Sequence, residues 1–226
     1  MNISLNEIDK LFIAVCSEVQ PFNNLARSIE FQKKSIDKLK GFLKDLGELK
    51  KQAAELKNEE DANRILYYEI IIKSLTEELK MWISFKNDDP QSAWDNLINA
   101  QSSLRDALLS IEVGDLLDDY VEKLYQYERN LFPHLLFASV GAKPLVKTCS
   151  VCKKNYDECI HIKGYPYMGE LCYVIIEKAE LEEVSIVEIP ANKHCRILTT
   201  KEDGVERDYM TWKEISKVQK VSRDNK

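Results

Sequence analysis

The chain has 226 residues, 32 Lys+Arg against 38 Asp+Glu, a net charge of −6 and 44% apolar residues. That apolar share supports a folded core and excludes wholesale disorder. Seven glycines and six prolines fall well below the usual share of about 12%, which excludes collagen-like and low-complexity chains and favours long helices. No apolar run approaches the ~18–20 residues that span a bilayer. The start, Met1-Asn2-Ile3-Ser4-Leu5-Asn6-Glu7, has no basic segment followed by an apolar one, so no secretory signal is read and a cytoplasmic location is expected.

Ser4 with Glu7 forms a capping-box pattern, and Ile8, Leu11, Phe12, Val15 and Val19 follow at helical spacing up to Pro21. The spacing predicts a second helix over about residues 22–57, roughly 50 Å long. Its seam runs Leu25, Ile29, Gln32, Ile36, Leu39, Leu43 and Leu46, a heptad that slips after Gly47. A third helix carries Leu66, Ile70, Ile71, Leu75, Leu79, Trp82 and Ile83. Asp89 and Pro90 supply a cap and first residue for a fourth, with Trp94, Leu97, Ile98, Leu104, Leu108 and Ile111. Gly114-Asp115 breaks it, and a fifth runs from Leu116 to Leu131 before Pro133. Each helix has one apolar stripe, so an antiparallel bundle is the simplest way to bury all five. The aromatics Tyr67, Tyr68, Trp82, Trp94 and Tyr120 read as core, and Cys16 as a small core hydrophobe. The heptad seam fits either an internal bundle or a coiled coil with a partner.

The composition changes near 141–147, where Gly141 and Pro144 come close together. Residues 1–140 carry a balance of −7 and residues 141–226 a balance of +1. The expected fold class is therefore α+β. A helical bundle over 1–140 precedes a β-rich module over 145–226 that ends in a helix. Leu171 to Ile176 and Val184 to Ile189 read as strands. Cys195 to Thr200 and Val205 to Met210 flank the hairpin signal Asp203-Gly204, with a loop longer than two residues. Thr211 with Glu214 reads as a capping box for a terminal helix through Trp212, Ile215 and Val218, after which the chain is polar.

Five of the six cysteines fall in this second part. Cys149, Cys152, Cys159 and His161 form C-x2-C-x6-C-x-H. The CxxC turn lets two thiolates face one centre at ~2.3 Å, and three sulfurs with one imidazole fill a tetrahedral zinc shell. A full shell marks a structural site. Disulfides, a redox CxxC and an iron–sulfur cluster are competing readings of the same cysteines. Cys172, His194 and Cys195 are alternative ligands, although the compact set closes the shorter loops. A module of about 80 residues has a marginal core, and a metal supplies folding free energy that the core lacks.

This Cys/His pattern resembles small zinc-ribbon and treble-clef modules. The stretch Glu182-Glu183-Val184-Ser185-Ile186-Val187-Glu188-Ile189-Pro190-Ala191-Asn192 resembles the closing strand of tailed-phage prohead protease domains. That second resemblance implies a β-core whose protease His and Ser are missing here, because no serine lies between His161 and Val184.

The motifs HExxH, GxSxG and GxxxxGK[ST] are absent from the sequence. The expectation is a non-enzymatic interaction or scaffold protein in a cytoplasmic complex, with a protein partner or self-association through the helical region. The alternative is nucleic-acid binding through Lys153, Lys154, Lys163, Tyr165 and Tyr167, which surround the ligands. A second alternative is a metal-dependent or degenerate protease-like enzyme, which needs an open coordination position.

Overall fold

The apolar stripes become helix–helix contacts in the computed structural model, which describes residues 5–110 and 117–215. The helices are α1 (Leu5–Val19), α2 (Ile29–Glu55), α3 (Glu59–Lys86), α4 (Pro90–Ser110) and α5 (Asp118–Leu131). The strands are β1 (Phe137–Cys149), β2 (Pro166–Tyr167), β3 (Glu170–Leu171), β4 (Val174–Val187), β5 (Thr199–Glu202) and β6 (Val205–Asp208). The fold is α+β, with helices in roughly the first 130 residues and small antiparallel sheets after them.

Helix α3 is the centre of the molecule. It buries residues around most of its circumference, from Ala62 through Ile65, Ile70, Ile72 and Leu79 to Trp82. One face meets Ile36, Leu39 and Leu46 of α2 and Ile8 and Val19 of α1. Another joins Trp94, Leu97 and Leu104 of α4, Leu124 of α5, and Phe132, Leu135 and Phe137 beyond it. Three-residue connections make α2–α3 and α3–α4 antiparallel hairpins. Much of the heptad seam is thus buried inside the chain. Tyr68, Trp82 and Trp94 are buried, and half-buried Cys16 packs against the α1–α3 cluster, where burial pushes its thiol up to about 11.

Helix α2 starts later than its apolar spacing suggests. Ser28 caps it by accepting the Phe31 N–H at 3.4 Å, and Leu25 stays in the preceding turn, 54% exposed. Gln32 fills its seam position because it is a connector. Its Nε2 donates to Phe22 O at 3.1 Å and Asn24 O at 2.8 Å, while its Oε1 accepts from Lys86 at 2.7 Å. Asp89 caps α4 as expected, accepting the Ser92 N–H at 3.0 Å. Ser4, Ile111, Gly114, Asp115 and Leu116 lie outside the described residues.

The change from helix to strand falls between Leu131 and Phe137. Residues 141–147, where the composition shifts, lie inside β1. That strand pairs antiparallel with β4 from Phe137↔Val187 to Cys149↔Val174, with irregularities at Gly141/Ala142, Pro144/Val146 and Val146/Lys147. A two-stranded ribbon leaves each strand one open edge, and bulges relax the ladder, so Gly141 and Pro144 are accommodated. The stretch from Leu171 to Ile176 is divided. Leu171 ends β3, Cys172 and Tyr173 connect, and β4 then runs unbroken to Val187.

β2 and β3 form a hairpin through Met168 (φ 48°) and Gly169 (φ 80°), and β5 and β6 one through Asp203 (φ 51°) and Gly204 (φ 81°). Positive φ at both central residues is the two-residue geometry that matches strand twist, so the second loop is shorter than the sequence suggests. Thr211 does not cap a helix. Its N–H and hydroxyl both bond Asp208 Oδ1, at 2.9 and 3.0 Å, and Glu214 bridges back to Arg207. Residues 211–215 are non-helical, and Val218 lies outside the described residues. Among the described residues, no helix is long and apolar enough to cross a membrane.

Candidate metal centre

Strand β1 delivers Cys149, fully buried, to the start of a tight turn. The Cys149 N–H donates to Lys154 O and the Lys153 N–H returns to Cys149 O, both at 2.9 Å, with Lys153 at φ 59° closing the loop. This folds Cys152 back beside Cys149. A 3-10 turn over Tyr156–Glu158, capped by Asn155 accepting the Asp157 N–H, then reverses the chain toward Cys159. The His161 N–H donates to Cys159 Sγ at 3.3 Å, which turns the imidazole inward.

The ligand atoms of Cys149, Cys152, Cys159 and His161 all lie within 4.8 Å of one another. Cys149 Sγ is 3.7 Å and Cys159 Sγ 3.9 Å from His161 Nδ1. A tetrahedron with zinc–sulfur bonds of ~2.3 Å has edges of about 3.8 Å. Both the donor set and its spacing therefore fit a tetrahedral metal ion, and the four residues could hold one.

The surroundings favour a thiolate at Cys149. Burial acts to raise its pKa, but the backbone N–H groups of Cys152 and Val151 and the thiols of Cys152 and Cys159 outweigh it and bring it down to about 6. Burial and the neighbouring Cys149 sulfur push Cys172 up to about 11, and burial also raises Cys159.

Of the alternative ligands, Cys172 is buried 3.7 Å from Cys149 Sγ but outside the group of four. Its backbone closes the loop, accepting from the Gly164 N–H at 2.8 Å and donating to Tyr165 O at 2.9 Å. His194 and Cys195 sit at the opposite end of β1. The Cys195 carbonyl accepts from the Ala138 N–H, and His194 Nδ1 lies 3.3 Å from Asp95 Oδ1. Eleven residues of strand separate Ala138 from Cys149, roughly 35 Å at about 3.3 Å each. These two residues belong to a loop strapped onto α4, where Arg196 bonds Asp95 and Gln91.

Lys153, Lys154, Lys163 and Tyr165 are exposed, as a nucleic-acid surface requires. Tyr167 instead braces the centre. Its ring meets His161 edge-on at 4.5 Å, and its hydroxyl accepts the Ile162 N–H at 2.9 Å. A cleft of about 390 Å³ between this loop and the helices holds Lys50, Lys73 and Lys153, but also Asp106 and Glu170.

Several supporting residues gave no motif signal. Ser150, inside the CxxC, accepts the Tyr173 N–H at 2.8 Å and donates to Leu171 O at 3.3 Å. Asn63 of α3 accepts the Gly169 N–H at 2.8 Å, and Leu171 packs with Leu66, Ile70, Ile71 and Ala107. No family model matches the chain, and no curated protein or solved structure is found similar to it.

Proposed function

We propose that the protein is a non-enzymatic interaction protein of the cytoplasm whose β-rich part is pinned by a structural zinc ion. One observation carries the metal assignment: three sulfurs and one imidazole converge within 4.8 Å, a donor set that fills a tetrahedral shell. A filled shell leaves no position for substrate or activated water, which favours a structural over a catalytic role. The interaction role draws support from the surface around the centre. Ile160, between two ligands, is 91% exposed, with Ile162 and Tyr165 also exposed beside it. Apolar groups held outward by a rigid loop suit contact with a partner. The lysines favour nucleic acid as a second reading, although the acidic groups of the adjoining cleft oppose it.

Metal analysis of the purified chain tests the assignment, together with the absorption spectrum of its cobalt-substituted form. One equivalent of zinc and a tetrahedral three-sulfur, one-nitrogen cobalt spectrum are expected. An absent metal, or a spectrum that changes on adding small anions, overturns the closed structural site.

A further inference from the structure

The β1–β4 ribbon carries its side chains in an unusual order. Cross-strand partners share a face, and successive pairs alternate between faces. Phe137 and Val187 pack into the Trp94 cluster, so the face they occupy, continued by Ser139 and Ser185, turns toward the helices. The opposite face turns to solvent. It holds the pairs Ala138↔Ile186, Val140↔Val184 and Ala142↔Leu181, followed by Pro144↔Ala179. Val140, Val184, Leu181 and Ile186 are 60%, 64%, 65% and 68% exposed. A half-solvated antiparallel sheet normally turns polar residues outward. The eight residues of these outward pairs carry no charge or hydrogen-bonding side chain, with exposed Glu182 unpaired at the bulge between Val184 and Leu181, while the charged pair Lys143↔Glu180 occupies the other face.

We propose that this face docks on the same face of a second copy of the chain. Two features select that occupant. The face is self-complementary in shape, because Ile186 and Leu181 on β4 stand opposite the alanines 138 and 142 on β1. A two-fold axis parallel to the strands lays β1 of one copy over β4 of the other. Each large side chain then meets an alanine, and Val140 meets Val184. The paired residues of the face are also uncharged, so stacking them on their copies brings no like charges together, and they offer a polyanion or charged peptide nothing to pair with. A lone two-stranded ribbon is marginal in water, and face-to-face stacking turns two of them into a two-layer sandwich about 10 Å thick.

The four large residues and their small neighbours offer roughly 300–400 Å² of apolar surface per copy, at the area that burying such side chains implies. The total is below the ~1,000 Å² of a stable interface, so the dimer is weak and concentration-dependent. This proposal rests on the interaction reading and names its partner, but it is independent of the metal.

Sedimentation velocity of the full chain from about 5 to 500 µM, the range of a weak interface, tests it. A monomer at low concentration shifting to a dimer at high concentration is expected. Val184→Lys and Val140→Glu should each weaken the dimer at least about tenfold, because each buries an unpaired charge. Both positions are exposed in one copy, so circular dichroism and the melting temperature should match the wild type. Mixing the two variants should restore dimer, since the glutamate of one then faces the lysine of the other. A wild-type chain that stays monomeric, a dimer undiminished in Val184→Lys, or no recovery on mixing overturns the proposal. The metal content of the same samples shows separately whether the zinc assignment fails.

Discussion

Cys152→Ser perturbs the centre with the least disturbance to packing, because Cys152 is the half-exposed member of the CxxC pair while Cys149 is buried. Structural zinc sites supply roughly 10–16 kcal/mol over four ligands, about 3 kcal/mol for one ligand of four. That corresponds to a fall in metal affinity of about two orders of magnitude. The hydrogen bonds show where the loss is felt. Ser150 N–H to Tyr173 O (3.0 Å), Gly164 N–H to Cys172 O (2.8 Å) and Cys172 N–H to Tyr165 O (2.9 Å) close the metal loop on itself. The helical clusters around α3 are built largely from other residues. Native-state hydrogen exchange should therefore show these three amides exchanging about 100-fold faster in Cys152→Ser, with the amides of α3 unchanged. Treating the wild type with a chelator should reproduce the pattern. Unchanged protection in the loop, or an equal loss in α3, would refute the argument that metal binding holds the loop alone.

Three further outcomes follow from other parts of the molecule. Glu78 is fully buried, bonded by Asn23 at 2.6 Å and paired with Lys123 at 2.7 Å. Burial raises its pKa above the ordinary 4.5, against the pull of Lys123. Stability held by its neutral form is present at low pH and lost as pH rises through the raised value. Removing Lys123 enlarges that loss, so Lys123→Met should cost about 2 kcal/mol at pH 7 and much less below the ordinary carboxyl value of 4.5 in urea titrations. Gly169→Ala places a Cβ at positive φ, 2.8 Å from Lys50 Cγ and 3.2 Å from Ala62 O. A cost of about 2 kcal/mol and a melting temperature 4–8 °C lower are expected. Trp94→Phe removes the indole N–H bond to Lys193 O at 2.9 Å and should lower the unfolding free energy by about 1 kcal/mol, read as a lower urea midpoint with an unchanged slope.

The helices were legible because their stripes repeat over several turns and each is used for internal packing. The Asp89-Pro90 start was legible for the same reason, since cap chemistry is local. The long strand β1 was not. Gly141 and Pro144 are breakers in isolation, and only the partner strand shows that open edges and bulges absorb them. The Thr211–Glu214 pattern misled because Asp208, just before it, captures the Thr211 N–H and hydroxyl. The four ligand residues lie within 13 positions, so their convergence was readable from spacing. Their support was not. Asn63 is 106 residues from the Gly169 amide it holds, and no local pattern reports such a pairing. Tyr167 had the composition of a stacking residue, but its position against His161 makes it a brace.

That long separation bears on the order of assembly. The helices leave the ribosome first, and the metal ligands emerge about 90 residues after Asn63 has been made. Closing a 13-residue loop around an ion costs about 2 kcal/mol less chain entropy than the far larger loop that brings Gly169 to Asn63. With the ion proposed above, the ligand loop can close before it docks on the surface built by α3. On the proposed metal assignment, a chain without the ion would stall at that docking step, with Leu66, Ile70 and Ile71 still lacking Leu171, their partner from the β2–β3 hairpin.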